Sequence, residues 1–394
     1  MRARKALLIA STPLMVLAAV LLLHVSRVAC MTVPVVDVVP RGIPAPAGSA
    51  GAALEREAGH EGSAGIVLGG GGEEVVAGAF HVDTTYSDGR GDLDEVAAAA
   101  AKAGLDYILL ADHNVDPPPP HRRHGVLVVP GVELSTSAGH IVAAGARRSA
   151  PWRMREDDPI GAARHAGGVA VLAHPVNLKL PWSGSWEDAD GMEIVSGDSL
   201  FRESLADPWR RLLPAVASAP ASTTIGWLYM HHRPDEAFER WDGLPGHVGL
   251  CAHDAHGYEG YVGPFRAMQL RLRLSEAPPE DAEEAAALVI EALRKGRAWC
   301  TLGGLADPAG FVLESKGEPP LVRASLEYES WPGGVRPLVI LFRGGERVAE
   351  GELCAEVEAA RPGLYRAEVQ LDLPWVWGRR EMLWIFTGTV KVGD

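Results

Sequence analysis

The sequence predicts an α/β chain that ends in a β-rich segment. Three observations carry this. Between Val75 and about Leu305, short apolar runs alternate with helix-like stretches, the pattern of a parallel sheet that is open or closed into a barrel. The ends of those runs repeatedly carry His, Asp or Glu, and in α/β barrels the chemistry sits at the C-terminal ends of the strands. From Asp307 onward, strand-like runs separated by Gly and Pro predominate.

The chain has 394 residues, 47% of them hydrophobic, and a net charge of −14. That length suits two domains, or one large domain with an addition. The acidic balance argues against a nucleic-acid partner, which needs a basic patch. Arg2, Arg4 and Lys5 precede an uncharged run from Ala6 to Leu23. A positive start and an apolar run describe a signal peptide or an N-terminal membrane anchor over residues 1–31; lipidation at Cys30 is a third reading. All three place the remainder outside the cytoplasmic membrane, either anchored or periplasmic/extracellular, with the membrane touched through the N-terminal segment only. Residues 32–74 are rich in Pro, Gly and Ala and read as a flexible linker with a short strand at Ile66–Leu68. Gly69 to Gly72 has no Lys-Ser/Thr after it, so no phosphate loop is indicated. The four cysteines, Cys30, Cys251, Cys300 and Cys354, show no C-x-x-C spacing, so no structural zinc site is indicated and their pairing is left open.

The strand candidates are Ala77–Val82, Leu105–Ala111, Val126–Val129, His140–Ala144, Val169–Ala173, Met192–Val195, Val248–Ala252 and Met268–Leu274; the helix candidates are Leu93–Ala103, Pro159–His165, Phe201–Ala217, Asp235–Trp241 and Pro279–Lys295. The first strand ends in His81-Val-Asp83, whose two polar side chains share a face by strand alternation, and Asp88 follows in a turn before Gly89. The second ends in Asp112-His113. The third runs into Gly131-Val-Glu133, and a tight reversal over Leu134 to Ala138 brings Glu133 and His140 to one rim. The fifth stops at His174-Pro175, the sixth carries Glu193, and a later one ends in His253-Asp254-Ala255-His256, with Asp254 and His256 on one face. Nine residues, His81, Asp83, Asp88, His113, Glu133, His140, His174, Asp254 and His256, thus recur at strand ends. Imidazole and carboxylate groups gathered in this way are metal-ligand chemistry, and the mixture suits zinc, manganese or iron better than calcium.

In these motifs the chain resembles the PHP (polymerase and histidinol phosphatase) metallohydrolases over about residues 78 to 300. The motifs are His81-Val-Asp83, Ser87-Asp-Gly89, Ala111-Asp-His113, Gly131-Val-Glu133, Gly139-His140, Ala173-His-Pro175 and Asp254-Ala-His256. The resemblance implies a distorted (β/α)7 barrel over 75–306 with two or three divalent metal ions at its mouth. Position by position it assigns His81, Asp83, Glu133 and Asp254 to one ion, Glu133, His140 and His174 to a second with Glu133 bridging, and Asp88, His113 and His256 to a third. The family's first motif is usually His-x-His; here Asp83 takes the second position. The layout is also similar to a secreted carbaryl-hydrolase-like branch, which adds a β-rich segment after the barrel.

Residues 307–394 match that addition. Leu321–Tyr328, Pro337–Phe342, Tyr365–Leu371 and Met382–Val392 read as strands of a small β-sandwich-like domain. Trp375, Trp377 and Trp384 are read as core aromatics, with a ligand surface as the alternative. The expected function is metal-dependent hydrolysis, with a phosphoesterase favoured, in which a hydroxide bridging two ions attacks a small, anionic substrate. An amide, carbamate or carboxylic ester hydrolase with the same site and a non-catalytic exported binding module are the alternatives. Asp112 is assigned either to orienting His113 or a neighbour, or to capping a turn. Lys179 and Arg266 are candidate substrate contacts.

Overall fold

The computed structural model describes residues 74–302, 310–326, 335–358, 360–375 and 378–393. The N-terminal signal or anchor and the linker through residue 73 lie outside them, as do Trp377 and the side chain of Trp375. In order, the elements are β1 (Val75–Val82), α1 (Leu93–Ala103), β2 (Tyr107–Leu110), β3 (His121–Arg123), β4 (Val126–Val129), β5 (Gly131–Thr136) and β6 (Gly139–Ala144). There follow α2 (Trp152–Asp157), α3 (Pro159–His165), β7 (Val169–Ala173), β8 (Gly191–Ser196), α4 (Gly197–Ala206), a π-helical turn (Pro208–Leu212), α5 (Leu213–Ser218), α6 (Thr223–Met230), α7 (Asp235–Asp242) and β9 (Val248–Ala252). Next come α8 (Val262–Ala267), β10 (Met268–Arg273), α9 (Ala282–Arg294) and β11 (Ala298–Leu302). The last strands are β12 (Phe311–Lys316), β13 (Leu321–Leu326), β14 (Arg336–Arg343), β15 (Glu346–Gly351), β16 (Cys354–Val357), β17 (Gly363–Trp375), β18 (Gly378–Thr387) and β19 (Val390–Val392).

Local chemistry sets the element ends near the site. Asp92 caps α1 by accepting the amides of Asp94 and Glu95, while Glu95 reaches back to the Asp92 amide, a complete capping box. Gly104 closes the helix in the left-handed conformation, at φ 77°. Leu93, Val96, Ala97, Ala100 and Ala103 form its buried face, so the loop carrying Asp88 is pinned at its far end. The single helix expected over Phe201–Ala217 is interrupted. Pro208 has no amide proton to continue the ladder, and the backbone widens there into the π-helical turn before α5 resumes.

The architecture is mixed α/β. One sheet runs β15-β14-β17-β18-β11-β10-β1-β2-β4-β3, with β19 on β17; a second runs β5-β6-β7-β8-β9; a third runs β12-β13-β16. Strands β1, β2 and β4 are mutually parallel, as are β7, β8 and β9, but β5-β6-β7 is an antiparallel meander and β10 is antiparallel to β1. The expected parallel sheet is therefore only partly realised. A meander needs no crossover helix, and a two-residue reversal at Ser137-Ala138 suffices between β5 and β6. The first two sheets meet through isolated bridges, Val82 with Ala255 and His113 with Glu133, rather than through continuous ladders. They do not close into a barrel.

Both bridges fall where the strands end in His and carboxylate residues, so the seam between the sheets is also where those residues collect. Beneath it lies a continuous apolar core that includes Phe80, Leu109, Val132, Ile141, Leu172, Met192 and Leu250. A disulfide joins Cys251 on β9 to Cys300 on β11, with Cα atoms 5.8 Å apart.

Beyond β11 the large sheet continues directly: β18 pairs with Trp299 to Thr301. Strands β12 and β13 face β14, β17 and β18 across a second core containing Phe311, Leu313, Val322, Leu341, Val369, Leu371 and Ile385. This is two-layer, sandwich-like packing. Its larger layer is hydrogen-bonded into the preceding α/β sheet instead of standing apart from it. Trp384 is fully buried in that core, as expected of a core aromatic.

Candidate metal centre

The backbone delivers three of the nine residues by departing from regular strand geometry. His81 has φ 64°, His174 φ 33°, Asp254 φ 48° and Asn114, beside His113, φ 55°. Non-glycine residues in this region cost about 1–3 kcal/mol each, and such strain collects at functional sites. At His81 the β1–β2 register slips between Phe80 and Val82. This bulge re-aims the imidazole, so the regular alternation expected to pair His81 with Asp83 is broken, yet both side chains are fully buried at the cluster. Gly89 admits the Asp88 loop to the strand end: a Cβ there would lie 2.5 Å from the Asp83 carbonyl.

Glu133, on β5, sits at the middle. Its Oε2 is 3.3 Å from His81 Nε2 and 3.0 Å from His113 Nδ1, and its Oε1 is 2.8 Å from His140 Nδ1 and 3.2 Å from His174 Nε2. The β5–β6 hairpin pairs Ser135 with His140, which sets Glu133 and His140 together as the tight reversal predicts. Asp254 faces His81, His174 and His256 at 3.7, 3.9 and 3.5 Å. His256 lies 3.4 Å from Asp88 and 3.8 Å from Asp83.

Three sets have ligand atoms within 4.8 Å of one another: His81, Asp83 and Glu133; His113, Glu133 and His140; and Asp83, Asp88, His113 and His256. The sets implied by the resemblance differ in detail. Here Asp83 belongs to two of them, His113 stands between two, and His174 and Asp254 flank them through the distances above.

The polar atoms fit a cation. Both oxygens of Asp83 are buried without a hydrogen-bond partner, and His81 Nε2 and Glu133 Oε2 are buried facing each other at 3.3 Å without completing one. Leaving a buried polar group unsatisfied costs about 1–3 kcal/mol, and more when it is charged. Four such atoms on neighbouring ligands therefore call for positive charge among them. Proton affinities agree. Burial lowers the His174 pKa, but Glu133, Asp254 and Glu193 outweigh it and bring it to about 9. Burial likewise opposes, and Glu193, Glu133 and Asp254 reverse, the shift at His81, which ends well above the ordinary imidazole value. Burial holds the Asp83 carboxyl well above its usual range, with Asp254 and Glu133 adding to it against His81. Burial would also raise Glu133, but His81 and the hydrogen bonds from His140 and His174 hold it well below. The cluster retains protons where metal ions would replace them.

Asp112 takes the turn-forming role. Its carboxylate accepts from the amides of Thr84 and Ser87 at 2.9 and 3.1 Å and from the Ser87 hydroxyl at 2.8 Å. It folds the turn that presents Asp88. Arg266 donates to the Lys102 carbonyl, at the end of α1 away from the metal-facing strand ends. Lys179 is exposed in the loop after His174, where its amide donates to Asn177.

Glu193 has a larger part than its place in an apolar strand suggests. Its Oε1 accepts the His81 Nδ1 proton at 2.6 Å and its Oε2 accepts the His174 amide at 2.7 Å. A carboxylate is an acceptor only, so this fixes the His81 tautomer and leaves Nε2 for the centre. The one signal in the sequence is an isolated Glu within the buried run Gly191–Ser196. Glu193→Gln should weaken metal affinity about 10- to 100-fold, the usual cost of losing a supporting carboxylate, and Glu193→Ala more. Competition with a chelating dye measures this. Unchanged affinity in both variants would reduce Glu193 to a packing residue.

No family model and no curated protein matches the chain. Among solved structures, a two-domain protein from Bacteroides vulgatus ATCC 8482 containing a predicted PHP-like metal-dependent phosphoesterase is similar over 85% of this chain and 100% of its own, at 14% identity and a TM-score of 0.42. At that distance the similarity carries no weight for function, which rests on the side chains themselves.

Proposed function

We propose that the chain is a metal-dependent hydrolase of phosphate esters, holding two or three divalent ions among the nine residues. The observation that carries this is the convergence of His81 Nε2, both Asp83 oxygens and Glu133 Oε2, all buried and none completing a hydrogen bond. Zinc, manganese or iron suits the donor set. Such ions supply Lewis acidity and lower the pKa of a bound water from about 15.7 towards 7. The protein's own part is to fix the donors. Glu133 ties four imidazoles, Glu193 sets the His81 tautomer, and Asp112 holds the Asp88 turn. With three divalent ions, the carboxylates of Asp83, Asp88, Glu133 and Asp254 leave the centre net positive, which favours an anionic ester because charge stabilisation is the main contribution in phosphoryl transfer.

We also place the protein outside the cytoplasmic membrane. The basic start and the Ala6–Leu23 run support this, as does the Cys251–Cys300 disulfide, a bond that persists in oxidising compartments. Among the described residues no helix is long and apolar enough to cross a membrane.

The test is metal analysis of the purified protein with a panel of phosphate and carboxylic esters. Chelation should abolish phosphate monoester hydrolysis, and zinc or manganese should restore it. A folded protein that binds no divalent ion would overturn the reading; hydrolysis confined to carboxylic esters would overturn the substrate class.

A further inference from the structure

We infer that Arg90 and Tyr258 form a recognition arm for the anionic group of the substrate; this rests on the phosphoester reading above. Arg90 follows Gly89 in the loop that carries Asp88, and its amide donates to the His256 carbonyl at 2.9 Å. Its backbone is thereby tied between two members of the Asp83, Asp88, His113 and His256 set. The guanidinium carbon lies 4.2 Å from the centroid of the Tyr258 ring. That ring in turn stacks on His256, with centroids 6.0 Å apart and planes at 27°. Imidazole, phenol and guanidinium thus lie within one ring of each other in succession at the edge of the cluster. Tyr258 is 66% exposed and Arg90 is exposed beside it, so the arm is open to solvent.

Arg155, which reaches the residue after His113, is committed elsewhere: it bonds Asn114 and the Ser135 carbonyl. Among the described residues the Arg90 guanidinium has no hydrogen-bond or ion-pair partner, and it lies over the face of Tyr258. A guanidinium stacked on an aromatic ring keeps its in-plane N–H groups available. Its fork matches two phosphate oxygens at once, which a lysine ammonium cannot do. An exposed cation–π contact is weak enough to let the fork turn towards a bound anion while limiting where it can go.

The geometry therefore assigns Arg90 to the oxygens of the phosphate that do not react, with Tyr258 as its support. Both act in binding and neither takes a proton. The test uses the metal-loaded full chain and inorganic phosphate as the probe, with the phosphate Kd read by calorimetry for wild type, Arg90→Ala, Arg90→Lys and Tyr258→Leu. Loss of a charge-assisted contact predicts that Arg90→Ala raises the Kd about 10- to 100-fold at equal metal content. Arg90→Lys should recover only part of this, and Tyr258→Leu should fall between wild type and Arg90→Ala. The kcat/KM ratio of a phosphate monoester to a neutral ester should drop in the same order. A phosphate Kd within twofold of wild type in Arg90→Ala, or a wild type that binds no phosphate, would overturn the inference. A wild type that binds phosphate through Arg90 yet cleaves only carboxylic esters would uphold the arm and overturn the phosphoesterase reading, so the two failures are distinguishable.

Discussion

Glu133→Ala should lower hydrolysis by about 10³-fold or more and remove at least one metal ion per chain. Glu133 is 1% exposed and is the one described carboxylate within 3.3 Å of four imidazoles, those of His81, His113, His140 and His174. It belongs to two of the three ligand sets, as Asp83 and His113 do, and its two oxygens together meet all four of those imidazoles. Losing one preorganised electrostatic contact already costs about 10²–10³ in rate, and here the position of an ion is lost as well. Glu133→Gln separates charge from shape. It keeps the volume and one acceptor oxygen but brings an NH2 group against imidazoles held by a carboxylate. Elemental analysis and kcat/KM on the same preparations check both. If Glu133→Gln were to keep full metal content and rate, Glu133 would have no place in the centre.

The candidate site was more legible in the sequence than the way the sheets are joined. Each candidate ligand sits in a short motif beside an apolar run, so the ends of those runs drew attention to it. His81 was located for a reason that proved incomplete: a bulge with φ 64°, not regular alternation, aims its ring. Glu193 was noticed on its strand but given no role, because its partners are 112 and 19 residues away, and no local pattern marks a hydrogen bond across strands. The pairing of Cys251 with Cys300 and of β18 with β11 was hidden for the same reason, since both depend on which strands become neighbours. The tight reversal over Leu134 to Ala138 anticipated the β5–β6 hairpin, but the antiparallel β6–β7 pairing was not read, because apolar runs of five or six residues look alike whichever way their strands run. Arg266 shows the limit for charged residues near a motif: its place in the sequence said nothing of the Lys102 carbonyl that holds it.

The second large effect is on stability. Arg366→Ala should destabilise the protein by about 3–5 kcal/mol, the cost of breaking a buried ion pair. Arg366, on β17, is 2% exposed. It grips Asp242 of α7 with two bonds, Nε to Oδ1 at 2.8 Å and Nη2 to Oδ2 at 2.7 Å, and donates a third to Glu368. Arg233 holds the same Glu368 with two bonds of 2.8 Å. The Arg366 guanidinium also lies over Phe342 and Phe238, at 4.1 and 4.9 Å. Removing it leaves Asp242 without its pair, leaves Glu368 with one cation instead of two, and opens a cavity among aromatic rings. Helix α7 contributes Phe238 and Trp241 to the same core as Met192 of β8 and Leu250 of β9, so the break lies between β17 and the strands that lead to Glu193 and Asp254. The pH dependence follows from Glu368. Burial would raise its pKa, but Arg233 and Arg366 hold it below the ordinary carboxylate value. A depressed carboxylate pKa gives stability that is present above about pH 4.5 and is lost as acid carries the pH through the folded value. Without Arg366 the folded pKa rises and that contribution shrinks, so acid unfolding should begin at higher pH in Arg366→Ala than in wild type. Arg366→Lys should recover less than half of the loss, because an ammonium cannot make the two-bond grip on Asp242. Urea unfolding at pH 7 and an acid titration followed by circular dichroism measure the two effects. A loss below about 1 kcal/mol, the range of an exposed pair, together with an unshifted acid transition, would show that the network contributes little to holding α7 against β17.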